Sequence, residues 1–430
     1  MGSLNNALIY IGELVQGGIS PGILFIDANT TLQEDAPHFG YDSTKKRLLL
    51  EDVNSNILIG SSAVASALTT GANNVSIGNN ALENVTSGIQ NVCVGYQAGQ
   101  AITSGVNNVC IGYQSASAGG NFTGGNNVFV GYGTAVGATT GNFNTAVGEN
   151  AGHALTSGTE NVLLGSGSGQ AINTGGGNVV IGYLSGPNIS SGGNNTIVGL
   201  SAGGGIVTGG ENVAIGTQAM SGVADISGNV GIGQQALTQD QTGQNVAVGY
   251  FAGNIISAGS GNIAVGYQAM GSAAAVAQNV SFNVCIGENA GAALASNAQG
   301  NVLIGKDVKG VSTGIDNVVI GNGAGSSIGT GSFNLLLGFG QNGYPVNVPA
   351  NNTSNYLNIC DVLKGDMAAG PLAFSIPISI ASAQLAISTV ALTNNAGAQV
   401  ATITNGPIAG NPTKWIPIND NGTIRNIPAW

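Results

Sequence analysis

A short motif, Asn-Val-x-Ile-Gly or a close variant of it, recurs seventeen times along this 430-residue chain. Ten of the sixteen intervals between successive motif asparagines are 17 residues, and the others run from 16 to 21. These anchor asparagines are Asn56, Asn74, Asn91, Asn108, Asn127, Asn144, Asn161, Asn178, Asn195, Asn212, Asn229, Asn245, Asn262, Asn283, Asn301, Asn317 and Asn334. A fixed period of this length is typical of a solenoid, in which each repeat is one coil stacked on the last. The chain is therefore expected to form a rod.

One repeat, residues 156–165 (TSGTENVLLG), indicates how a coil is built. Its first three residues are turn residues, and Gly158 can adopt a positive φ. Val-Leu-Leu at 162–164 is predicted to form a short strand that Gly165 closes, and a glycine stands at this place in all seventeen copies. The pattern predicts an all-β, parallel β-solenoid of about 17 coils over residues 54–340. At ~4.8 Å per coil, the shaft would be roughly 80 Å long.

The three strand residues divide between two faces. The residues one and three places after the anchor, such as Val92 and Val94, are apolar and are expected to point into the coil. The central residue would then point outward, yet none of its occupants is charged. The predicted subunit-interface stripe comprises Cys93, Cys110, Phe129, Ala146, Leu163, Val180, Ile197, Ala214, Ala247, Ala264 and Cys285. Since a strand covered on both faces needs a partner, this stripe predicts an obligate homo-oligomer around a shared axis.

The asparagine column is interpreted as structural. Stacked Asn side chains hydrogen-bond to their neighbours above and below and satisfy turn amides. The predicted ladder comprises Asn74, Asn91, Asn108, Asn127, Asn144, Asn161, Asn178, Asn195, Asn212, Asn229, Asn245 and Asn262. A ligand-binding or ice-binding ladder is the alternative, but the exposed runs vary too much for a flat, regular threonine array.

Cysteine use and charge exclude several classes of protein. Cys93 and Cys110 occupy the same place in successive repeats, so a disulfide is conceivable, although small buried thiols are the favoured interpretation. No CxxC or Cys/His spacing predicts a metal site, and no cofactor motif occurs in a suitable context. The chain has a net charge of −11 with only eight Lys and Arg residues, so no nucleic-acid partner is expected. No apolar run is long enough for a membrane-spanning helix, and the N-terminus is a poor secretory signal.

Catalytic residues are scarce. The chain has two histidines, His38 and His153, and neither lies in a Ser-His-Asp pattern. Glu149 and Glu288 share a repeat position but lie on distant rungs. The sequence therefore predicts no enzyme. A polysaccharide-degrading spike is the weakest alternative, because carboxylates of separate chains could meet at an interface.

The repeat resembles the head repeats of trimeric autotransporter adhesins, as residues 212–216 (NVAIG) and 245–249 (NVAVG) illustrate. The likeness covers about two thirds of the chain, and it implies a left-handed β-roll shared by three chains. The flanks are similar instead to bacteriophage-type tail fibres. Residues 21–48 resemble a segment that precedes the shaft in such fibres, and residues 355–359 (NYLNI) resemble the strand that often follows it.

The extent of the repeats, together with these resemblances, divides the chain into an N-terminal attachment region (1–53), a β-roll shaft (54–340) and a C-terminal β domain (341–430). In the last region, residues 373–380 and 399–404 alternate as strands do, and Asn421-Gly422 is a hairpin-turn signal.

The leading hypothesis is a homotrimeric virion fibre, bound to a virion attachment protein through its N-terminal region and to a host surface receptor or glycan. Its localisation would be the virion surface or extracellular. A cellular surface adhesin or a self-assembling extracellular filament is the alternative.

Overall fold

A computed structural model of the chain describes thirteen segments. They are residues 40–42, 47–49, 54–60, 70–117, 120–222, 227–239, 242–271, 278–339, 346–360, 363–367, 373–374, 414–420 and 423–429. The chain divides into two compact units, Met1–Ile376 and Pro377–Trp430. Each unit is described by itself below.

All regular structure in the described residues is β-strand. The strands are β1 (Gly40–Asp42), β2 (Arg47–Leu49), β3 (Ile57–Ile59), β4 (Val75–Ile77), β5 (Val92–Val94), β6 (Val109–Ile111), β7 (Val128–Val130), β8 (Thr145–Val147), β9 (Val162–Leu164), β10 (Val179–Ile181), β11 (Thr196–Val198), β12 (Val213–Ile215), β13 (Val230–Ile232), β14 (Val246–Val248), β15 (Ile263–Val265), β16 (Val284–Ile286), β17 (Val302–Ile304), β18 (Val318–Ile320), β19 (Leu335–Leu337), β20 (Tyr356–Ile359), β21 (Leu363–Asp366), β22 (Ala373–Phe374), β23 (Lys414–Asp420) and β24 (Thr423–Ala429).

The strands from β3 to β20 form one parallel ladder. Each strand pairs with the next in sequence, and equivalent residues of successive repeats are partners, as Val162, Val179 and Thr196 are. Such in-register pairing of strands one period apart is the β-solenoid that the sequence predicts. The fold class is therefore confirmed.

Glycine and left-handed residues close each coil. The glycine after the strand has a φ of +128° to +143° in all seventeen copies, a region open in practice only to glycine. A Cβ on Gly182 would lie 2.6 Å from the carbonyl oxygen of Gly199 on the next rung, so the coils also need glycine to stack closely. The residue before each anchor is likewise left-handed, as at Asn194 with φ +58°.

The ladder continues beyond residue 340, where the sequence period ends. β20 pairs in parallel with β19, and β21 and β22 then add antiparallel strands. The backbone N–H of Tyr356 donates to Asn334 Oδ1 at 2.9 Å, so β20 continues the asparagine ladder by supplying the donor for its last side-chain oxygen. The solenoid thus extends past the shaft boundary predicted from the repeats, because pairing needs extended backbone rather than the repeat motif.

The flanking regions are described in part. β1 and β2 form a short antiparallel pair within the N-terminal 53 residues. In the second unit, β23 and β24 pair antiparallel over seven residues on either side of Asn421-Gly422. The remainder of the predicted attachment region, residues 375–380 and residues 399–404 lie outside the described residues.

Candidate functional site

The central residue of each strand from β4 to β19 faces the interior of its own coil, whereas Leu58 of β3 is exposed. All eleven residues of the predicted interface stripe are buried at 0–1% exposure within a single chain, and all belong to its hydrophobic core. They are Cys93, Cys110, Phe129, Ala146, Leu163, Val180, Ile197, Ala214, Ala247, Ala264 and Cys285. The prediction that they form a subunit interface is therefore wrong, because residues of the same chain already cover them.

The second side of the coil provides that cover. In the coil of Asn91, the buried residues Ala98 and Ile102 follow the strand and complete the core. The interior is thin, since a Cβ on Gly99 would lie 2.3 Å from Cys93 Sγ. Small central residues thus reflect a flattened coil rather than a tight symmetry axis.

One sequence signal could have identified the correct face. In an extended strand the anchor asparagine and the central residue point to the same side. An asparagine that satisfies turn amides must point into the coil, so the central residue does so as well. Because both faces of the strand are apolar, the apolar pattern alone did not show that the central residue points inward with the asparagine.

The anchor asparagines form a continuous buried ladder. The twelve predicted members are exposed by no more than 1%. Asn178 is representative: its backbone N–H and Nδ2 both donate to Asn161 Oδ1, at 3.1 and 3.0 Å. Its Nδ2 also donates to the carbonyl oxygen of Gly192 at 2.9 Å. The column therefore holds successive rungs together and leaves little of its surface open to a ligand.

The strand residues on either side of the central one face outward. They are half-buried or exposed in every strand from β3 to β19, and most are Val, Ile or Leu. These outward columns correct a second prediction, which placed residues such as Val92 and Val94 inside the coil. Because they recur on every rung, they form an apolar stripe along the whole ladder.

Two further columns border this stripe. The leading column is the residue just before each anchor, and the trailing column is the residue five places after it. We call the leading, outward and trailing columns together the apolar face. Nearly all exposed large hydrophobic side chains of the described residues lie on it, the exceptions being Leu58, Ile89 and Met367. Exposed hydrophobic groups concentrated this strongly mark an interaction surface.

Tyrosines dominate part of the trailing column. Tyr96, Tyr113 and Tyr132 stack with ring centroids 5.1 and 5.2 Å apart, and Tyr250 stacks on Tyr267 at 5.3 Å. Their exposed fractions lie between 39% and 54%. Stacking covers most ring faces, so the hydroxyls and ring edges are what a partner would contact.

Charge is sparse on this surface. The sequence has no Lys or Arg between Arg47 and Lys306. Lys306 pairs with Glu288 at 2.9 Å and Lys309 with Asp307 at 2.8 Å, both near the C-terminal end of the ladder. The hydrogen bond to Glu288 raises the pKa of Lys306, and the bond from Lys309 lowers the pKa of Asp307. The Lys306–Glu288 pair lies in the trailing column, and the other charged residues of the apolar face are all acidic: Glu149, Glu160, Glu211 and Asp316.

The cysteines are free thiols. Cys93, Cys110 and Cys285 are buried and Cys360 is exposed. Burial raises the pKa of Cys93, with a further contribution from its contact with Cys110, and burial raises the pKa of Cys285. The disulfide considered for Cys93 and Cys110 is absent from the structure.

Catalytic and metal-binding sites have little support in the described segments. His153 is exposed, and His38 lies outside them. Within the described part of the chain, no cluster of three or more His, Cys, Asp or Glu residues could hold a metal ion. The segments that the structure describes contain no helix able to cross a membrane.

No protein-family model matches the chain, and no curated protein is significantly similar to it.

Proposed function

We propose that this chain is the subunit of a homotrimeric fibre that projects from a virion and attaches it to a host surface. The observation that carries the proposal is the apolar face, which follows a rigid ladder along its entire length. A rod with such a face is suited to lateral association and to holding two ends apart.

The period of the face favours another copy of the same chain as its partner. A partner must offer apolar groups every ~4.8 Å over many rungs, and the same face of a second copy has this spacing. Half-exposed side chains on every rung sum to on the order of 1,000 Å² per copy, comparable to the ~800 Å² per partner of a standard interface. The number of copies, three, follows the resemblance to autotransporter adhesin heads.

The flanks support the assignment to a virion. Residues 21–48 resemble the segment that precedes a tail-fibre shaft, and we propose that residues 1–53 bind the virion. Residues 355–359, which resemble the strand that often follows a tail-fibre shaft, include β20, which pairs in parallel with β19. The C-terminal part would meet a host receptor or glycan, and three copies per fibre would raise avidity without strong single contacts.

A cellular surface adhesin is the second candidate, favoured by the adhesin-like repeat itself. Both candidates share the trimer and an extracellular location. They differ in whether the fibre is found on a particle.

Two measurements test the proposal. Sedimentation of the full chain should give three times the 42.2 kDa chain mass, and a monomer would contradict the trimer. Imaging of native particles with a label at the C-terminal residue should show the label at a projecting tip. Label on cell surfaces and none on particles would favour the adhesin. New reducing ends after incubation with host glycans would show a degradative activity that we do not propose.

A further inference from the structure

Three phenylalanines stand in the leading column. Phe143, Phe282 and Phe333 are exposed by 61%, 64% and 47%. At the same place other repeats carry Ser, Asn, Gln, Glu, Asp or Gly. A large apolar ring in this column gains little from burial within its own chain.

The backbone makes these residues more costly still. Their φ angles are +58°, +57° and +59°, in the left-handed region that glycine and asparagine adopt readily. A bulky residue there is an outlier. Strain combined with exposure of apolar surface indicates a role outside the single coil, since an asparagine would serve the coil better.

The rings are placed at one edge of the apolar face. The anchor, the three-residue strand and the closing glycine separate the leading column from the trailing column of one rung, and the extended strand alone spans ~10 Å. The ring of Phe282 lies over the preceding rung, because a Cβ on Gly261 would be 2.7 Å from Phe282 Cδ1. Tyr267 occupies the trailing column of that preceding rung, with 50% exposure.

We propose that Phe143, Phe282 and Phe333 are the anchors by which the leading column of one copy packs against the trailing column of the next. The inference rests on the self-association proposed above. In a closed ring of parallel copies, each subunit uses one edge to contact the opposite edge of its neighbour. Large aromatic side chains commonly contribute most of the binding energy of such contacts.

The trailing column has matching aromatic residues. Tyr132 and Tyr267 lie one rung before Phe143 and Phe282, whereas the trailing residue one rung before Phe333 is Asn322. Asp316 in the leading column lies one rung after Lys306 in the trailing column, an opposite-charge pair, whereas the same offset brings Glu160 near Glu149.

The first test replaces all three anchors by asparagine (F143N, F282N and F333N). Circular dichroism should show an intact fold, while the concentration at which the assembly dissociates should rise at least tenfold. Ile89→Asn is the matched control, because Ile89 is exposed but lies off the face. Replacement of the anchors by tyrosine should preserve association. If the asparagine variant associates like the unchanged protein, the anchor assignment is wrong although the fibre proposal stands.

The second test joins the two columns covalently. Phe282→Cys and Tyr267→Cys are combined in a Cys360→Ser background and oxidised. Within one chain the two positions are too far apart for a disulfide, which needs Cα atoms within ~7 Å. A covalent trimer on a non-reducing gel is the expected result, and neither single variant should yield it. Monomers alone, or dimers formed by Phe282→Cys by itself, would overturn the edge-to-edge arrangement. A monomeric parent protein would instead defeat the self-association proposal.

Discussion

The two sides of almost every three-residue strand are both apolar, but one side faces the interior of the coil and the other faces outward. The inward side is a thin interior, where small central side chains lie beside a buried asparagine ladder and successive rungs match residue for residue. The outward side carries Val, Ile, Leu and Thr that remain half-exposed in a single chain, with aromatic residues in the columns that border it. The difference teaches that apolarity alone does not identify a core. The core is identified by the buried polar groups beside the apolar residues, because the hydrogen bonds of those groups must be satisfied.

The sharpest test of this comparison changes two adjacent residues of β10. Val180→Asp would bury an unpaired charge in the coil and should lower the free energy of unfolding by about 3–5 kcal/mol or more. Val179→Asp places the same charge on the outward side, where a lone chain can solvate it. Urea unfolding should therefore separate the two variants strongly, whereas sedimentation should show that Val179→Asp weakens association. Equal unfolding midpoints for the monomeric variants would contradict the assignment of the sides.

The turn that follows the strand should be nearly as sensitive. Gly182→Ala introduces a Cβ 2.6 Å from the carbonyl oxygen of Gly199 at a φ of +131°, and the combined strain and overpacking should cost about 2–4 kcal/mol. Gly228→Asn is the control, because its φ of +71° suits asparagine and the nearest atom is 3.9 Å away. The control should leave the urea midpoint almost unchanged.

The next largest loss of stability is expected from a substitution in the asparagine ladder. Asn178→Ala removes the donor to Gly192 and the Oδ1 that accepts from both nitrogens of Asn195, at 3.0 Å each. Buried groups without partners should cost about 2–3 kcal/mol, measured by urea unfolding. Asn194→Gly removes an exposed amide from the neighbouring position and should have little effect. If Asn178→Ala were equally mild, the column would not be a stabilising ladder.

The reactivity of the cysteine thiols reports on the two sides of the strand without a destabilising substitution. With a thiol reagent at neutral pH, Cys360 should react in the native protein while Cys93, Cys110 and Cys285 stay protected until unfolding, because burial hides them from the reagent. The triple asparagine variant is informative here. Protection that persists after its dissociation would show that each coil buries its own cysteines, whereas reaction on dissociation would place them at a subunit interface.

The smallest effect concerns the charged pairs at the C-terminal end of the ladder. The pKa of Asp307 is lowered mainly by Lys309, so this pair stabilises the fold above the ordinary carboxyl pKa and its contribution is lost as acid protonates Asp307. The pKa of Lys306 is raised, so its contribution is lost at the opposite, alkaline extreme. Asp307→Asn should reduce the difference in melting temperature between pH 7 and pH 3 by a small amount. An unchanged difference would mean that solvent screens the pair completely.

Much of the fold could be predicted from the sequence because the local turn and strand residues agree with the spacing of the repeats. The spacing of the anchors predicts the coil length, and the glycine after each strand predicts a turn that only glycine tolerates. In-register stacking then follows, since identical rungs bury identical columns most efficiently. The strand β20 shows the limit of this reasoning: it joins the ladder without the motif, through backbone pairing and the last free acceptor of Asn334.

The sequence by itself thus determined the period, the strands, the turns and the asparagine column of this protein. The tertiary structure showed which side of each strand is the core, a choice that the apolar pattern alone leaves open. Alternation along a strand says which residues share a face, but both faces here are apolar and either could be inside. The choice depends on the second side of the coil, whose buried alanines and leucines close over the central residue. That closure turns Val and Ile outward and leaves the phenylalanines of the leading column exposed on the edge of the apolar face.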